Sequence, residues 1–306
     1  MRTLIRDPRE VTEISPKRDD QRRTYASERP VADVLDDGIV EGRDGHPLLL
    51  VATLPEGVHR ECDLLLDWLS AFRGWQGTEQ RPNEFRMSGI QNAHVVFGYS
   101  PPVPLRRRYG ASVCDFTLSN PGATMALEAL AGACAEAFAE RMPTAHARHL
   151  EAISALDPAW LLGGGKLPWT SGIINRTSAL PYHKDASNVA GSMSAMVVLR
   201  SSSEGGGLHV PALDVLLPCA NRSLNIFDGC RHLHGTTPLA RERYTERFSI
   251  VFYTKREFVG AEKPGDEVRR AQRRATEAAE NLGSSSKQVA LDRARRPGDR
   301  RNAYDE

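Results

Sequence analysis

Cysteine is scarce in this chain. Its five cysteines, at positions 62, 114, 134, 219 and 230, are odd in number and show no CxxC spacing, which excludes a disulfide framework and a zinc knuckle. Long apolar runs are absent too, and MRTLIRDPREVTEISPKRDDQRR at the start lacks the apolar core of a signal peptide. The expectation is a soluble, cytoplasmic protein with no membrane partner. Nor is there an excess of one charge. Lys and Arg number 40 against 39 Asp and Glu, for a net charge of +1. The total therefore argues for neither a polyanionic nor an acidic partner, and only a local basic surface would serve, because exposed charges are screened beyond about 8–10 Å. Leu105-Arg106-Arg107-Arg108-Tyr109, after the proline-broken SPPVP, is such a candidate; it reads equally as a phosphate clamp with a stacking tyrosine or as a solvated loop. No feature points to a protein partner.

Three regions follow from pattern. Residues 1–45 are charged and proline-punctuated and read as a partly disordered arm. Residues 46–262 carry the alternations of one α+β domain. Strands are expected at 46–55 and within 84–118 (FRMSGIQNAHVVFGYS and YGASVCDFTL), with helices at 62–75, 121–142 and about 144–156. A core sheet is expected over 169–256. Residues 263–306, almost without large apolar side chains, read as a solvated helix and a disordered tail.

The chemistry is concentrated in 181–255. PYHKD (181–185) places His183 and Asp185 two apart, and HGTTPL (234–239) supplies His234 some fifty residues later. Two imidazoles and one carboxylate hold a non-haem Fe(II) on one face, leaving positions open for a co-substrate and O2. RFSIVFY (247–253) sets Arg247 between apolar neighbours. A buried guanidinium there needs an anion, and its planar fork with the Ser249 hydroxyl suits the far carboxylate of 2-oxoglutarate; the bland reading is a buried pair with Asp228 or Asp214. His232 rivals His234 as third ligand, and His209, in GGGLHVP (205–211), reads as a satisfied sheet histidine. Asn175 and Arg176 fit co-substrate contact or support, and Met193 and Met196 fit core. The order of these fragments is that of a double-stranded β-helix, a jelly-roll or cupin-like core with supporting helices.

WTSGIINRTSALPYHKDASN (169–188), HGTTPL and RFSIVFYTK (247–255) together resemble the TET/JBP family of nucleic-acid-modifying oxygenases. The resemblance covers about a third of the chain, and it lacks the cysteine-rich elements that flank the animal TET core. It implies Fe(II) on His183, Asp185 and His234, with 2-oxoglutarate and O2 as co-substrates and a flipped 5-methylated pyrimidine in DNA as partner. It also places Asn188 and Tyr253 at base-contacting positions and Lys255 where TET enzymes have a histidine. The expected reaction is oxidation of 5-methylcytosine to 5-hydroxymethylcytosine, with further oxidation open. Thymine hydroxylation of the JBP type, a small-molecule or protein hydroxylase, and a non-catalytic binding module are the alternatives.

Overall fold

The run Ser-Ala-Met-Val-Val-Leu-Arg at 194–200 is buried at every position, the mark of a strand covered on both faces. The fold is arranged around it. The computed structural model describes residues 2–8, 26, 30–75, 93–102, 110–176, 180–201, 205–239 and 246–280. Its strands are β1 (Arg2–Arg6), β2 (Asp33–Val34), β3 (Gly38–Gly42), β4 (Pro47–Thr53), β5 (Ala93–Ser100), β6 (Ser112–Val113), β7 (Ser171–Arg176), β8 (Ser194–Arg200), β9 (Leu208–Val210), β10 (Val215–Leu217), β11 (Ser223–Phe227), β12 (Gly235–Thr236) and β13 (Arg247–Tyr253). The helices are α1 (His59–Ala71), α2 (Asp115–Ser119), α3 (Pro121–Arg141), α4 (Pro143–Ala152), α5 (Leu162–Gly165) and α6 (Pro264–Glu280).

The strands form two sheets. The larger runs β1-β3-β4-β11-β8-β13-β7-β5-β6 and the smaller runs β12-β9-β10-β2. This is an α+β double-stranded β-helix with supporting helices. Alternation along the central strands separates two cores. Ala195, Val197 and Leu199 of β8, with Phe248, Ile250 and Phe252 of β13, face the helices. There they meet Leu65 and Leu69 of α1 and Leu127, Leu130, Cys134 and Phe138 of α3, spaced on one helical face. Met196 and Val198 face the other way, into the space between the sheets, against Leu208, Val210, Val215 and Leu217. Each such leucine or phenylalanine contributes about 1.5–3 kcal/mol by burial.

Four expectations are revised or refined. The division at residue 45 falls inside a hairpin, because β3 pairs with β4 across a turn in which Gly45 adopts φ 75°. β1 adds beside β3, with Leu4 and Val40 buried and Ile5 exposed, an alternation too short and charged to read as a strand. YGASVCDFTL yields only the two-residue β6 before turning into α2, since Phe116 packs edge-on against Trp68 and Phe72. The predicted strand residues 84–92 and the Arg106–Arg108 clamp lie outside the described residues. The C-terminal helix is docked as well as solvated: Glu267 is fully buried and accepts from the Ala111 and Glu262 amides and from Arg270. Residues 281–306 are outside the described set. No helix among the described residues is long and apolar enough to cross a membrane.

Candidate metal centre

His183 and Asp185 lie between β7 and β8, and His234 immediately precedes β12. The backbone holds the two histidines opposite each other in one antiparallel bridge, His183 N to His234 O at 2.9 Å and His234 N to His183 O at 3.0 Å. The Asp185 amide donates to Gly229 O at 2.9 Å, which draws the third side chain to the same place. Each imidazole donates Nδ1–H to a carbonyl two residues upstream: His183 to Pro181 at 2.8 Å and His234 to His232 at 2.9 Å. That fixes the tautomer and leaves both Nε2 lone pairs for a metal. They face Asp185, His183 Nε2 lying 3.6 Å from Oδ1 and His234 Nε2 3.9 Å from Oδ2.

The donor set fits a divalent cation. All three ligand atoms lie within 4.8 Å of one another, and burial together with the neighbouring His183 ring pushes the His234 pKa down, keeping the imidazole neutral as coordination requires. Gly229 makes room for the carboxylate, since a Cβ there would sit 2.4 Å from Asp185 Oδ2. His232 contributes its backbone carbonyl to His234, while its own ring is buried and held neutral with a pKa of about 4.

Arg247, Ser249, Val251 and Tyr253 share the face of β13 that looks between the sheets. Arg247 is 2 % exposed, and among the described residues it makes no ion pair with Asp214, Asp228 or any other carboxylate; its guanidinium interacts with the Cys219 thiol, and its Nε has no partner. Gly206, with φ +68°, admits it, because a Cβ there would approach Arg247 Nε to 3.0 Å. Arg176 turns to the opposite face, ion-paired with Glu246 and lying over the Trp75 ring, so it is no rival anchor for a ligand between the sheets.

Asn188, Tyr253 and Lys255 gather on one side of the triad. Asn188 pairs with Lys255 in a backbone bridge and donates from Nδ2 to Ser194 Oγ at 3.2 Å. Lys255 Nζ donates to Ser187 Oγ and lies 4.8 Å from the centroid of the Tyr253 ring. Tyr253 is buried, and that burial pushes its pKa up. His209 bonds the Tyr182 hydroxyl at 2.6 Å and takes no part in the triad.

Residues 124–256 match the model of the TET/JBP family, described as the oxygenase domain of the 2OGFeDO superfamily. Over that span the chain is similar to the TET/JBP family. The span is a 2OG-Fe(II) oxygenase domain, and the superfamily implies both Fe(II) and 2-oxoglutarate. No curated protein sequence matches the chain. Among solved structures, NgTET1 in complex with 5mC DNA is similar at a TM-score of 0.50 and 12% identity, over 75% of this chain and 84% of its own. An oxidoreductase of the 2OG-Fe(II) oxygenase family from Burkholderia pseudomallei is similar at a TM-score of 0.40 and 12% identity, over 71% and 87%. At that identity the likeness to NgTET1 concerns the fold.

Proposed function

We propose that this TET/JBP oxygenase oxidises the methyl group of 5-methylcytosine in DNA to 5-hydroxymethylcytosine, holding iron on His183, Asp185 and His234 and 2-oxoglutarate on Arg247 and Ser249. The observation that carries the iron and co-substrate assignment is a convergent, tautomer-fixed triad in the same fold as a buried Arg247 that, among the described residues, lacks an anion. With 2-oxoglutarate and O2, bound iron supplies the oxidising power to hydroxylate an unactivated C–H bond. The chain's own residues position the reactants. Arg247 and Ser249 orient the co-substrate by its far carboxylate, and Asn188, Tyr253 and Lys255 form the wall against which a flipped base rests.

Support for a DNA substrate is twofold. The structural neighbour NgTET1 was solved with 5mC DNA, and Lys184, Arg231 and Arg256 are exposed on the segments that carry or flank the triad. Such cations suit the phosphates on either side of a flipped nucleotide. Lys255 favours a second reading. Its amine is a donor beside Tyr253, which suits the O4 acceptor of thymine better than the N4 donor of cytosine.

The test is incubation of the purified chain with Fe(II), ascorbate, 2-oxoglutarate and oligonucleotides bearing 5-methylcytosine or thymine, followed by nucleoside mass spectrometry. 5-Hydroxymethylcytosine is the expected product. 5-Hydroxymethyluracil selects the thymine reading, and succinate formation with neither product moves the substrate to a small molecule or a protein. Asn188→Ala and Tyr253→Ala should slow DNA oxidation about 5- to 150-fold, from contacts of about 1–3 kcal/mol each, while sparing DNA-independent succinate formation. Serine at positions 184, 231 and 256 should lower the salt dependence of DNA binding by about 0.9 in log–log slope per lost phosphate contact.

A further inference from the structure

Leu224 and Ile226 of β11 face the helices, which turns Ser223, Asn225 and Phe227 into the space between the sheets. Asn225 is fully buried there, directly opposite Met196 in a predominantly apolar wall. Among the described residues its Oδ1 has no hydrogen-bond partner, and its Nδ2 reaches only the Cys219 sulfur, at 3.9 Å. Valine or isoleucine would suit a central strand better. A buried amide left half-satisfied calls for a ligand that the bare protein does not supply.

Cys219 ties this amide to Arg247. The Arg247 guanidinium interacts with the same thiol, so Asn225 and Arg247 share one neighbour in the space between the sheets. Burial keeps that thiol protonated. With the amide turned over, the S–H donates to Oδ1 and the NH2 group points inward as a free donor, beside a guanidinium whose Nε is also unpaired.

We propose that Asn225, positioned by Cys219, is a further contact for the anion that Arg247 holds, donating from its amide to an oxygen of 2-oxoglutarate. The inference rests on the assignment of that co-substrate to Arg247.

The experiment is anaerobic calorimetric titration of 2-oxoglutarate into the full chain loaded with Mn(II), together with thermal melts of the metal-free and ligand-bound protein. Asn225→Leu should weaken 2-oxoglutarate about 10- to 100-fold, as expected for loss of a hydrogen bond to a charged group, with Mn(II) affinity unchanged. Its ligand-free Tm should equal or exceed that of wild type, because the unmet amide is gone, and its 2-oxoglutarate-induced rise in Tm should shrink. Asn225→Thr, which keeps strand propensity and loses the amide, serves if the leucine variant does not fold. Unchanged 2-oxoglutarate affinity, or a lowered ligand-free Tm with a normal ligand-induced rise, would make Asn225 a packing residue and overturn the inference alone. A wild-type chain that binds Mn(II) but not 2-oxoglutarate would overturn both the inference and the co-substrate assignment.

Discussion

At the scale of single residues, glycine does as much for this site as the ligands do. Gly229 has a φ that other residues also adopt, so alanine is conformationally acceptable there, yet its Cβ would press on Asp185 Oδ2. Gly229→Ala should therefore weaken Mn(II) binding about 10- to 100-fold, as loss of support around a metal ligand does, with little change in the Tm of the metal-free chain. Unaltered affinity would show that the carboxylate has room to move. His149 offers a second test. It is fully buried in α4, donates Nε2–H to Pro168 O at 2.8 Å and accepts the Met193 amide on Nδ1 at 2.8 Å, so no proton can be added without breaking a bond. Burial lowers its pKa from the ordinary histidine value of 6.5 to about 4. Between those values the unfolded chain binds the extra proton, so this contribution to stability is complete above pH 6.5. It is lost as pH falls towards 4, by about 3 kcal/mol in all. In urea melts with a chelator present, His149→Gln should flatten the pH dependence in that window; an unchanged slope would assign it to other groups. His183, Asp185, His234 and Arg247 stood out in the sequence because each sits in a short local pattern. Asn225, Cys219 and Gly229 did not, because their roles depend on contacts between segments far apart in the chain.

Among elements, the long amphipathic and fully apolar ones were legible. α3 opens at Pro121, where the sequence places the start of a helix, and β8 (Ser194–Arg200) falls in the 169–256 stretch where a core sheet is expected. Elements whose apolar content is one or two residues were not. β1 buries only Leu4, and α2 exists because of Phe116. α6 shows how one polar residue can dock a helix whose sequence reads as solvated. Its Glu267 joins Ala111 to Glu262, next to the cluster of Trp160, Phe258 and Val189 that adjoins Asn188. Glu267→Ala leaves two amides without an acceptor and should cost about 2–4 kcal/mol. Calorimetric melting would measure that loss, and, if DNA is the substrate as proposed, its apparent KM should rise while Mn(II) binding holds. A variant with wild-type stability and KM would show α6 to be dispensable to the substrate wall.

For the whole molecule, the two sheets are sealed at their N-terminal edges. Arg6 pairs with Asp33 and donates to Leu213 O at 3.1 Å, and Arg2 donates to Val34 O at 3.1 Å, so β1 of one sheet is fastened to β2 of the other. The sheet order carries a further consequence. β4 lies between β3, its neighbour in sequence, and β11, with Leu50 opposite Ile226. As the chain leaves the ribosome the β3–β4 hairpin is complete long before β11 exists. At about 5–20 residues per second, the Leu-Leu-Leu-Val-Ala edge of β4 waits on the order of 10–35 s for its partner. During that interval it is an open template for other nascent chains, so the yield of native protein depends on what covers that edge while translation is under way.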